Sequence, residues 1–154
     1  MNQAFASPQV KPVSKSNRFV TFMLHSPFNV FMSGLMLITV KDRKSGRAIS
    51  MPVNYVRDGE TLLVTSKTDR TWWKNVRGGA PITLLINGKT YRADATVIEE
   101  QARVEEELLR FFRLTKRTIA GIHLNADGQP TPPEKFERVV QSRVVVMITY
   151  LTRL

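Results

Sequence analysis

The chain of 154 residues contains no cysteine and only two histidines, His25 and His123. The lack of cysteine excludes a disulfide, a thiolate metal site and a cysteine nucleophile, and two isolated histidines argue against a zinc site or a Ser-His-Asp triad. The glycine-rich loops that hold phosphates in ATPases and dinucleotide-binding folds are absent as well. If the chain is an enzyme, a cofactor must therefore supply its reactivity. The missing cysteine also fits a reducing compartment, and we predict a cytoplasmic location.

Charged residues are missing from residues 19–40, a length that would suffice for a membrane-spanning helix. The segment is interrupted at its middle by Ser26 and Pro27, which have the form of a helix start and do not suit the centre of a span. We therefore predict two N-terminal helices, over residues 18–24 and 27–33, instead of a membrane span. A secretory signal is also not expected, because the apolar stretch begins late.

The formal net charge is +10, from 23 Lys and Arg against 13 Asp and Glu. Such a surface raises the local concentration of anionic partners, and three classes qualify: nucleic acid, anionic lipid and a phosphorylated cofactor. No nucleic-acid-binding motif accompanies the charge, so nucleic acid is the least favoured of the three. Peripheral contact with an anionic membrane stays open.

Residues 1–17 form a polar stretch that we predict to be a flexible tail, and residues 18–154 have the length of a single domain. Within that domain, apolar runs bounded by turn signals predict six strands. Asp58-Gly59 and Asn87-Gly88 are dipeptides typical of tight hairpins. The predicted strands cover residues 35–41, 48–57, 61–66, 82–86, 90–98 and 144–150.

A helical period replaces the strand pattern over residues 104–119, where apolar side chains recur about every 3.6 residues. Acidic residues lie toward the start of this segment and basic residues toward its end, as the helix dipole favours. The loop that follows, residues 125–133, is long and contains three prolines and a glycine, so we expect it to act as a lid. The sequence thus predicts a mainly β (α+β) fold: a six-stranded antiparallel barrel with N-terminal helices and one long helix before the last strand.

Two predicted loops carry the cations and hydroxyls from which phosphate sites are built. One loop precedes the second strand, and the other follows the third strand. Because these strands form a hairpin, both loops lie at the same end of the sheet, although a solvated basic turn remains the alternative interpretation of the first. The candidate residues are Arg43, Lys44 and Ser45 in the first loop and Ser66, Lys67, Thr68 and Arg70 in the second.

Trp72 and Trp73 follow directly after the second loop, within a predicted short helix over residues 68–77. Their flat rings suit two roles, because either can cover a flavin-like ring or anchor this helix in the core. The sequence leaves both roles open.

Four segments of the chain, taken together, resemble the deazaflavin-dependent nitroreductase family. They are residues 37–47 (LITVKDRKSGR), 52–59 (PVNYVRDG), 64–67 (VTSK) and 73–77 (WKNVR), and the resemblance covers mainly residues 18–100. Members of this family have a split β-barrel related to the FMN-binding pyridoxamine phosphate oxidases and are commonly homodimers. The resemblance therefore implies a split barrel, an 8-hydroxy-5-deazaflavin coenzyme and a homodimer.

The family motifs also imply where the coenzyme binds. The chain departs from the family at Ile49, where an arginine is frequent, and in the short loop 68–71, which brings Arg70 toward the phosphate. These departures leave FMN as the alternative coenzyme. The implied contacts are Arg43, Lys44, Ser45, Ser66, Lys67, Thr68 and Arg70 at the phosphate and Pro52, Val53, Asn54 and Trp73 at the ring.

The resulting hypothesis is a reductase in which a reduced deazaflavin, or FMN, passes a hydride to a small electrophile such as a quinone, a nitroaromatic or an activated alkene. The sequence nominates no catalytic side chain and no metal ligand. One alternative is a flavin-binding or redox-buffer protein of the same fold without turnover. Another is a basic nucleic-acid-binding domain with Trp72, Trp73 and Tyr91 stacking on bases.

Overall fold

A computed structural model describes residues 34–115 and 118–154 of the chain. The predicted tail over residues 1–17 and the predicted helices over 18–24 and 27–33 lie outside these residues. The strands are β1 (Leu35–Lys41), β2 (Ala48–Asp58), β3 (Thr61–Lys67), β4 (Ala80–Ile86), β5 (Lys89–Ile98), β6 (His123–Leu124), β7 (Pro130–Thr131) and β8 (Arg143–Arg153). The helices are a 3₁₀ helix (Trp72–Val76), α1 (Gln101–Thr115) and α2 (Pro133–Ser142).

Six strands close into an antiparallel barrel in the order β1-β2-β3-β8-β5-β4, which confirms the predicted fold class. Asn87 and Gly88 form the β4–β5 turn with φ values of 48° and 74°, the left-handed conformation that this tight hairpin requires. Because the sheet closes on itself, β3 pairs with both β2 and β8, and β8 pairs with both β3 and β5.

The barrel separates two apolar cores, one inside it and one between its outer face and the helices. Alternate residues of β3 serve the two cores, because successive side chains on a strand point to opposite faces. Leu62 and Val64 pack inside, whereas Leu63 packs outside against α1 and α2. The two helices meet at Phe112 and Phe136, whose rings lie 5.9 Å apart in an edge-to-face arrangement. This outer core fixes α1 over the end of β3, beside the candidate loops.

The region before the last strand contains more structure than the sequence analysis predicted. The amphipathic helix ends at Thr115, and the predicted loop 125–133 contains the turn and the second strand of the short β6–β7 hairpin. The predicted long helix is present as α1, and a second, shorter helix that the sequence analysis did not predict, α2, follows this hairpin. Pro133 occupies the start of α2, where the missing N–H costs nothing, and Phe136 and Val140 form its buried face.

The barrel is open along part of one seam, between β2 and β3. These strands pair only from Asp58–Thr61 to Tyr55–Val64. Beyond that point β2 continues along β1, and β3 continues along β8 as far as Lys67. The two strands therefore diverge, and the opening that forms between them positions the candidate site.

Candidate functional site

A cavity of about 750 Å³ lies at this opening, within the size range of small-molecule sites. Its walls come from both diverging strands, from the loop after β3 and from the inner side of α1 and α2. The strand and loop residues that line it are Gly34, Met51, Pro52, Val53, Asn54, Tyr55, Thr65, Ser66, Lys67, Arg70, Trp72 and Arg143. The helical side is lined by Leu108, Phe111, Phe112, Thr115 and Val139, with Ile119 and Ala120 from the following loop.

The strand β2 presents backbone to the cavity that pairs with no strand among the described residues. The Tyr55 N–H donates to the Gly34 carbonyl at 2.6 Å on the β1 side of the strand. Because successive amides of a strand alternate in direction, the backbone of Asn54 points to the β3 side, where pairing has ended. The backbone of Pro52, two residues earlier, points to the same side as that of Asn54. Because proline has no N–H, no donor lacks a partner there, as is usual at the exposed edge of a strand.

Cations gather at one end of the cavity. Lys67 ends β3, Arg143 begins β8 directly opposite it, and Arg70 lies in the adjoining loop. Neither a carboxylate nor a histidine lines the cavity within the described residues, and the ion pairs found there involve only Arg77 and Arg110 as cations. This end therefore has the electrostatics of an anion site.

Arg143 differs from the other two cations because it is partly buried, whereas Lys67 and Arg70 are exposed. Burial lowers the pKa of the Arg143 guanidinium, against a smaller opposing influence of the Asp69 charge. The Nη1 atom donates to the Thr65 hydroxyl at 3.5 Å, the upper limit for a hydrogen bond. A guanidinium has five donors, and the described residues engage only one of those of Arg143 through a side-chain hydrogen bond.

Ser66 and the two tryptophans fix the loop that follows β3. The Trp72 Nε1 atom donates to the Ser66 hydroxyl at 3.1 Å, and the Trp73 Nε1 atom donates to the Lys67 carbonyl at 3.1 Å. Trp73 is only 3% exposed and belongs to the barrel core, with the Arg77 guanidinium 5.0 Å from its ring centre. Adjacent residues of a 3₁₀ helix point in different directions, so Trp72 lines the cavity and Trp73, the predicted ring contact, does not.

The turn with Arg43, Lys44 and Ser45 is already occupied by an internal anion. The Asp42 carboxylate accepts from the backbone N–H groups of Lys44 and Ser45, at 3.4 and 3.1 Å, and from the Ser45 hydroxyl at 2.5 Å. The Ser45 hydroxyl is the main cause that lowers the pKa of Asp42. The Ser45 hydroxyl and the two backbone N–H groups of this turn therefore bind the Asp42 carboxylate, and the Arg43 guanidinium donates to the Arg77 carbonyl.

A chain of hydrogen bonds nevertheless joins the two predicted loops. The Arg43 N–H donates to the Asn75 side-chain oxygen at 3.0 Å, and the Asn75 amide donates to the Trp72 carbonyl at 3.1 Å. Trp72 in turn donates to Ser66. Both loops thus lie at the same end of the barrel, as predicted, but only the second one lines the cavity.

The structure brings about half of the predicted site residues together. Pro52, Val53, Asn54, Ser66, Lys67 and Arg70 line the cavity, whereas Arg43, Lys44, Ser45, Thr68 and Trp73 do not. Sequence reasoning missed Thr65, Arg143 and the apolar helical wall, and it left the role of Trp72 open. The position of Arg143 just before a β-branched strand places it at a strand end, which the sequence could have shown. Its proximity to Lys67 could not be predicted in the same way, because the pairing of β3 with β8 is a long-range contact.

The cavity as a whole suits a flat molecule that carries an anionic group. The cations lie at the strand end, and the side chains of Leu108, Phe111 and Phe112 form an apolar wall on the helical side. Without a carboxylate or histidine in the described lining, the cavity has no obvious acid–base pair for hydrolysis. The arrangement instead fits chemistry supplied by a bound planar cofactor.

The predicted lid lies elsewhere. Residues 125–133 border a second cavity of about 760 Å³ between α1, α2 and the β6–β7 hairpin, and they do not line the first one. The Asn125 side-chain oxygen accepts from the N–H groups of Asp127 and Gln129, which closes the hairpin on itself. No helix in the described ranges has the length and apolar character to cross a membrane.

Several solved structures are similar to this chain at low sequence identity. A Mycobacterium smegmatis protein that binds FAD and heme is 15% identical, with 88% of this chain and 67% of that chain covered and a TM-score of 0.50. A candidate pyridoxamine 5'-phosphate oxidase from Listeria innocua is 14% identical over 91% and 98% of the two chains, with a TM-score of 0.48. An F420 reductase is 12% identical over 81% and 94%, with a TM-score of 0.46. At these identities the likeness concerns the fold alone.

A comparison with curated protein sequences found no match. The sequence profile of a family, in contrast, matches residues 23–126, more than half of the chain. The matched segment contains β1 to β5 and α1, and hence most of the cavity lining. The chain belongs to the F420H(2)-dependent quinone reductase family, and its cofactor is accordingly a deazaflavin used in oxidoreductase chemistry.

Proposed function

We propose that this protein reduces a small electrophilic acceptor, a quinone above all, with a hydride from the reduced deazaflavin bound in the cavity between β2 and β3. The observation that carries this proposal is the composition of the cavity. Its cations form no ion pair with the described residues, an apolar wall runs along it, and no carboxylate or histidine is in the described lining. The family supports a quinone as the acceptor. Nitroaromatics and activated alkenes are alternative acceptors of the same hydride.

The second loop is the proposed phosphate site. Lys67 and Arg70 are exposed cations at the mouth of the cavity, and a hydrated phosphate suits such partly solvated positions. Thr68 adds a hydroxyl to the same loop, and its N–H donates to the Ser142 carbonyl, which fixes the loop against β8. Arg43 and Lys44 contribute positive potential from the neighbouring turn. The backbone N–H groups of Lys44 and Ser45 in that turn already donate to the Asp42 carboxylate.

The ring of the coenzyme is proposed to lie along Pro52, Val53 and Asn54, with its far edge toward Trp72. The unpaired backbone of Asn54 offers a donor and an acceptor to the polar edge of such a ring. When bound, the coenzyme supplies the hydride. The protein binds and orients it, and the apolar wall of α1 excludes water from the side where the acceptor enters.

The proposal is tested by titrating the purified full-length protein with the deazaflavin coenzyme and with FMN, following the fluorescence of each ligand. We expect saturable deazaflavin binding that weakens about tenfold or more in Lys67→Gln, because a hydrogen bond to a charged group is lost. Lys89→Gln removes an exposed cation outside the cavity lining and serves as the matched control, with affinity within twofold of the parent. Binding of FMN alone, or equal affinities in both variants, would contradict the assigned coenzyme site.

Two predictions about the whole protein accompany this function. The resemblance to the nitroreductases implies a homodimer, and light scattering at low concentration should show a species of twice the 17.5 kDa chain mass. A cytoplasmic location, with peripheral contact to anionic lipid through the basic surface, follows from the absence of cysteine and the charge of +10.

A further inference from the structure

Arg143 lies on the outer face of the barrel, beneath the two helices. It begins β8 opposite Lys67, and it is two residues from Val145, which packs in the outer core. Side chains two residues apart on a strand share a face, so Arg143 projects toward α1 and α2. Phe111, Phe112 and Val139 line the same cavity from that side. Lys67, directly opposite, shares this face but is exposed, so Arg143 is the partly buried cation beside the apolar wall.

No acidic partner neutralises this guanidinium among the described residues. Its side-chain hydrogen-bond partner there is the Thr65 hydroxyl. The Asp69 carboxylate influences the guanidinium electrostatically, but the two groups are too far apart to form an ion pair. A cation that is partly withdrawn from water without a counter-ion is costly to the folded state. Such an arrangement persists where a ligand supplies the anion.

The cations of the cavity thus divide into two chemical environments. Lys67 and Arg70 are exposed and suit a strongly hydrated phosphate. Arg143 combines a planar, weakly hydrated guanidinium with apolar neighbours, and this combination suits a planar anion whose charge is delocalised. A quinone has no such charge before reduction, but it acquires one on an oxygen when it accepts a hydride.

We propose that Arg143, with Thr65 beside it, binds the acceptor oxygen that becomes anionic during hydride transfer. In this step the C–H bond of the reduced deazaflavin breaks, and its electron pair and hydrogen form a new bond to the quinone. The deazaflavin is oxidised by two electrons and the quinone is reduced to a hydroquinone monoanion. Loss of the hydride leaves the deazaflavin with one proton more than its oxidised form carries, and it releases this proton to water. Water donates one proton to the hydroquinone monoanion, so the neutral hydroquinone forms and protons and charge balance. Because the charge develops only during transfer, the Arg143 donors stabilise the transition state more than the bound quinone.

This proposal rests on the proposed function, and kinetics test it first. Arg143→Gln should lower kcat for a soluble benzoquinone about 10- to 100-fold and leave deazaflavin affinity within twofold. Arg143→Lys keeps the charge but loses the planar fork, so it should recover only part of the rate. Arg138→Gln removes an exposed arginine of α2 outside the cavity lining, and its kcat should equal that of the parent.

A binding measurement tests the same residue without turnover and without the coenzyme. Full-length, cofactor-free protein is titrated by calorimetry with 4-nitrophenolate, a planar phenolate, and with its neutral ether 4-nitroanisole. The parent and Arg138→Gln should bind the phenolate more tightly than the ether, and in Arg143→Gln this preference should fall about tenfold or more. Because this result does not need a deazaflavin, it separates a failure of the Arg143 assignment from a failure of the proposed function.

Two outcomes would overturn the assignment. If Arg143→Gln weakens deazaflavin binding as strongly as Lys67→Gln while kcat at saturating coenzyme is unchanged, Arg143 belongs to the phosphate site. If Arg143→Gln keeps both the parent kcat and the parent preference for the phenolate, Arg143 has no role toward an anionic acceptor.

Discussion

Gly34 shows how one residue at the rim of the cavity is constrained by the backbone around it. Its φ is +101°, and a Cβ added there would lie 2.9 Å from the Tyr55 carbonyl oxygen. We expect Gly34→Ala to lower the free energy of unfolding by about 2 kcal/mol or more, because backbone strain and a backbone clash act together. Gly128→Ala is the control, since it has a φ of +74° but an open environment, and should cost about 1 kcal/mol. Urea unfolding measures both, and equal costs would contradict the clash.

Trp72 and Trp73 are neighbours in sequence with different expected roles. Trp73→Ala should lower stability by about 3 to 5 kcal/mol, because its ring fills the barrel core. Trp72→Ala should instead weaken deazaflavin binding severalfold, with a smaller loss of stability, because its partly buried ring lines the cavity. Denaturant unfolding and coenzyme titration of both variants check this. If Trp73→Ala mainly weakened deazaflavin binding and Trp72→Ala mainly lowered stability, the ring-binding surface would be formed by Trp73.

The Asp42 turn gives a pH dependence with a defined sign. Hydrogen bonds from Ser45 and Lys44 hold the pKa of this carboxyl below its ordinary value of 3.8 in the folded protein. A depressed folded-state pKa contributes stability that is present above the unfolded-state pKa and is lost as the pH falls through the folded-state pKa. The stability difference between the parent and Asp42→Asn should therefore be largest at neutral pH and shrink below about pH 4. Unfolding curves at several pH values measure it, and a difference that does not change with pH would contradict the account.

At the scale of secondary-structure elements, local signals explain what the sequence predicted well. The six barrel strands were predicted to within a few residues, because hairpin turns such as Asn87-Gly88 depend on neighbouring residues alone. The helix α2 was missed because Pro130, Pro132 and Pro133 were interpreted as loop residues, although a proline also starts helices. The opening between β2 and β3 depends on which distant strands pair, and local patterns do not encode that choice.

The same limit explains the candidate site. Lys67 and Arg70 follow a predicted strand end, so their location was accessible from the sequence. Arg143 and the apolar wall reach the cavity only through the β3–β8 pairing and the packing of α1, which are long-range contacts. The hydrogen bonds from Ser45 to Asp42, in contrast, are local contacts. An aspartate three residues before a serine in a turn is a sequence pattern that predicts them.

The β6–β7 hairpin carries a prediction that differs from the lid expected from its sequence. Replacing residues 127–131 with a Gly-Ser linker should leave deazaflavin affinity and the KM for the acceptor within twofold of the parent, because this hairpin borders only the second cavity. Stability should fall modestly, since a Gly-Ser linker is more flexible in the unfolded chain than the segment with Pro130 and holds the turn closed by Asn125 less firmly. Steady-state kinetics and coenzyme titration test this. A changed acceptor KM would restore the hairpin as a lid.

For the molecule as a whole, the barrel and the charge act together. The divergence of β2 from β3 creates the cavity, the outer helices give it an apolar wall, and a chain of charge +10 draws an anionic coenzyme toward it. The anion site remains free because the described lining offers it no carboxylate. In the proposed function the fold supplies binding and exclusion of water, and the deazaflavin supplies the hydride.

The most direct measurement of this account is anaerobic oxidation of the reduced deazaflavin by a benzoquinone, followed by absorbance with stoichiometric protein. The parent should accelerate the reaction, and the rate should saturate as the protein concentration rises. The double variant Lys67→Gln/Arg70→Gln should require a much higher coenzyme concentration for half-saturation, because both proposed phosphate contacts are lost. A parent rate equal to that without protein, or a double variant that saturates at the parent's coenzyme concentration, would contradict hydride transfer in this cavity.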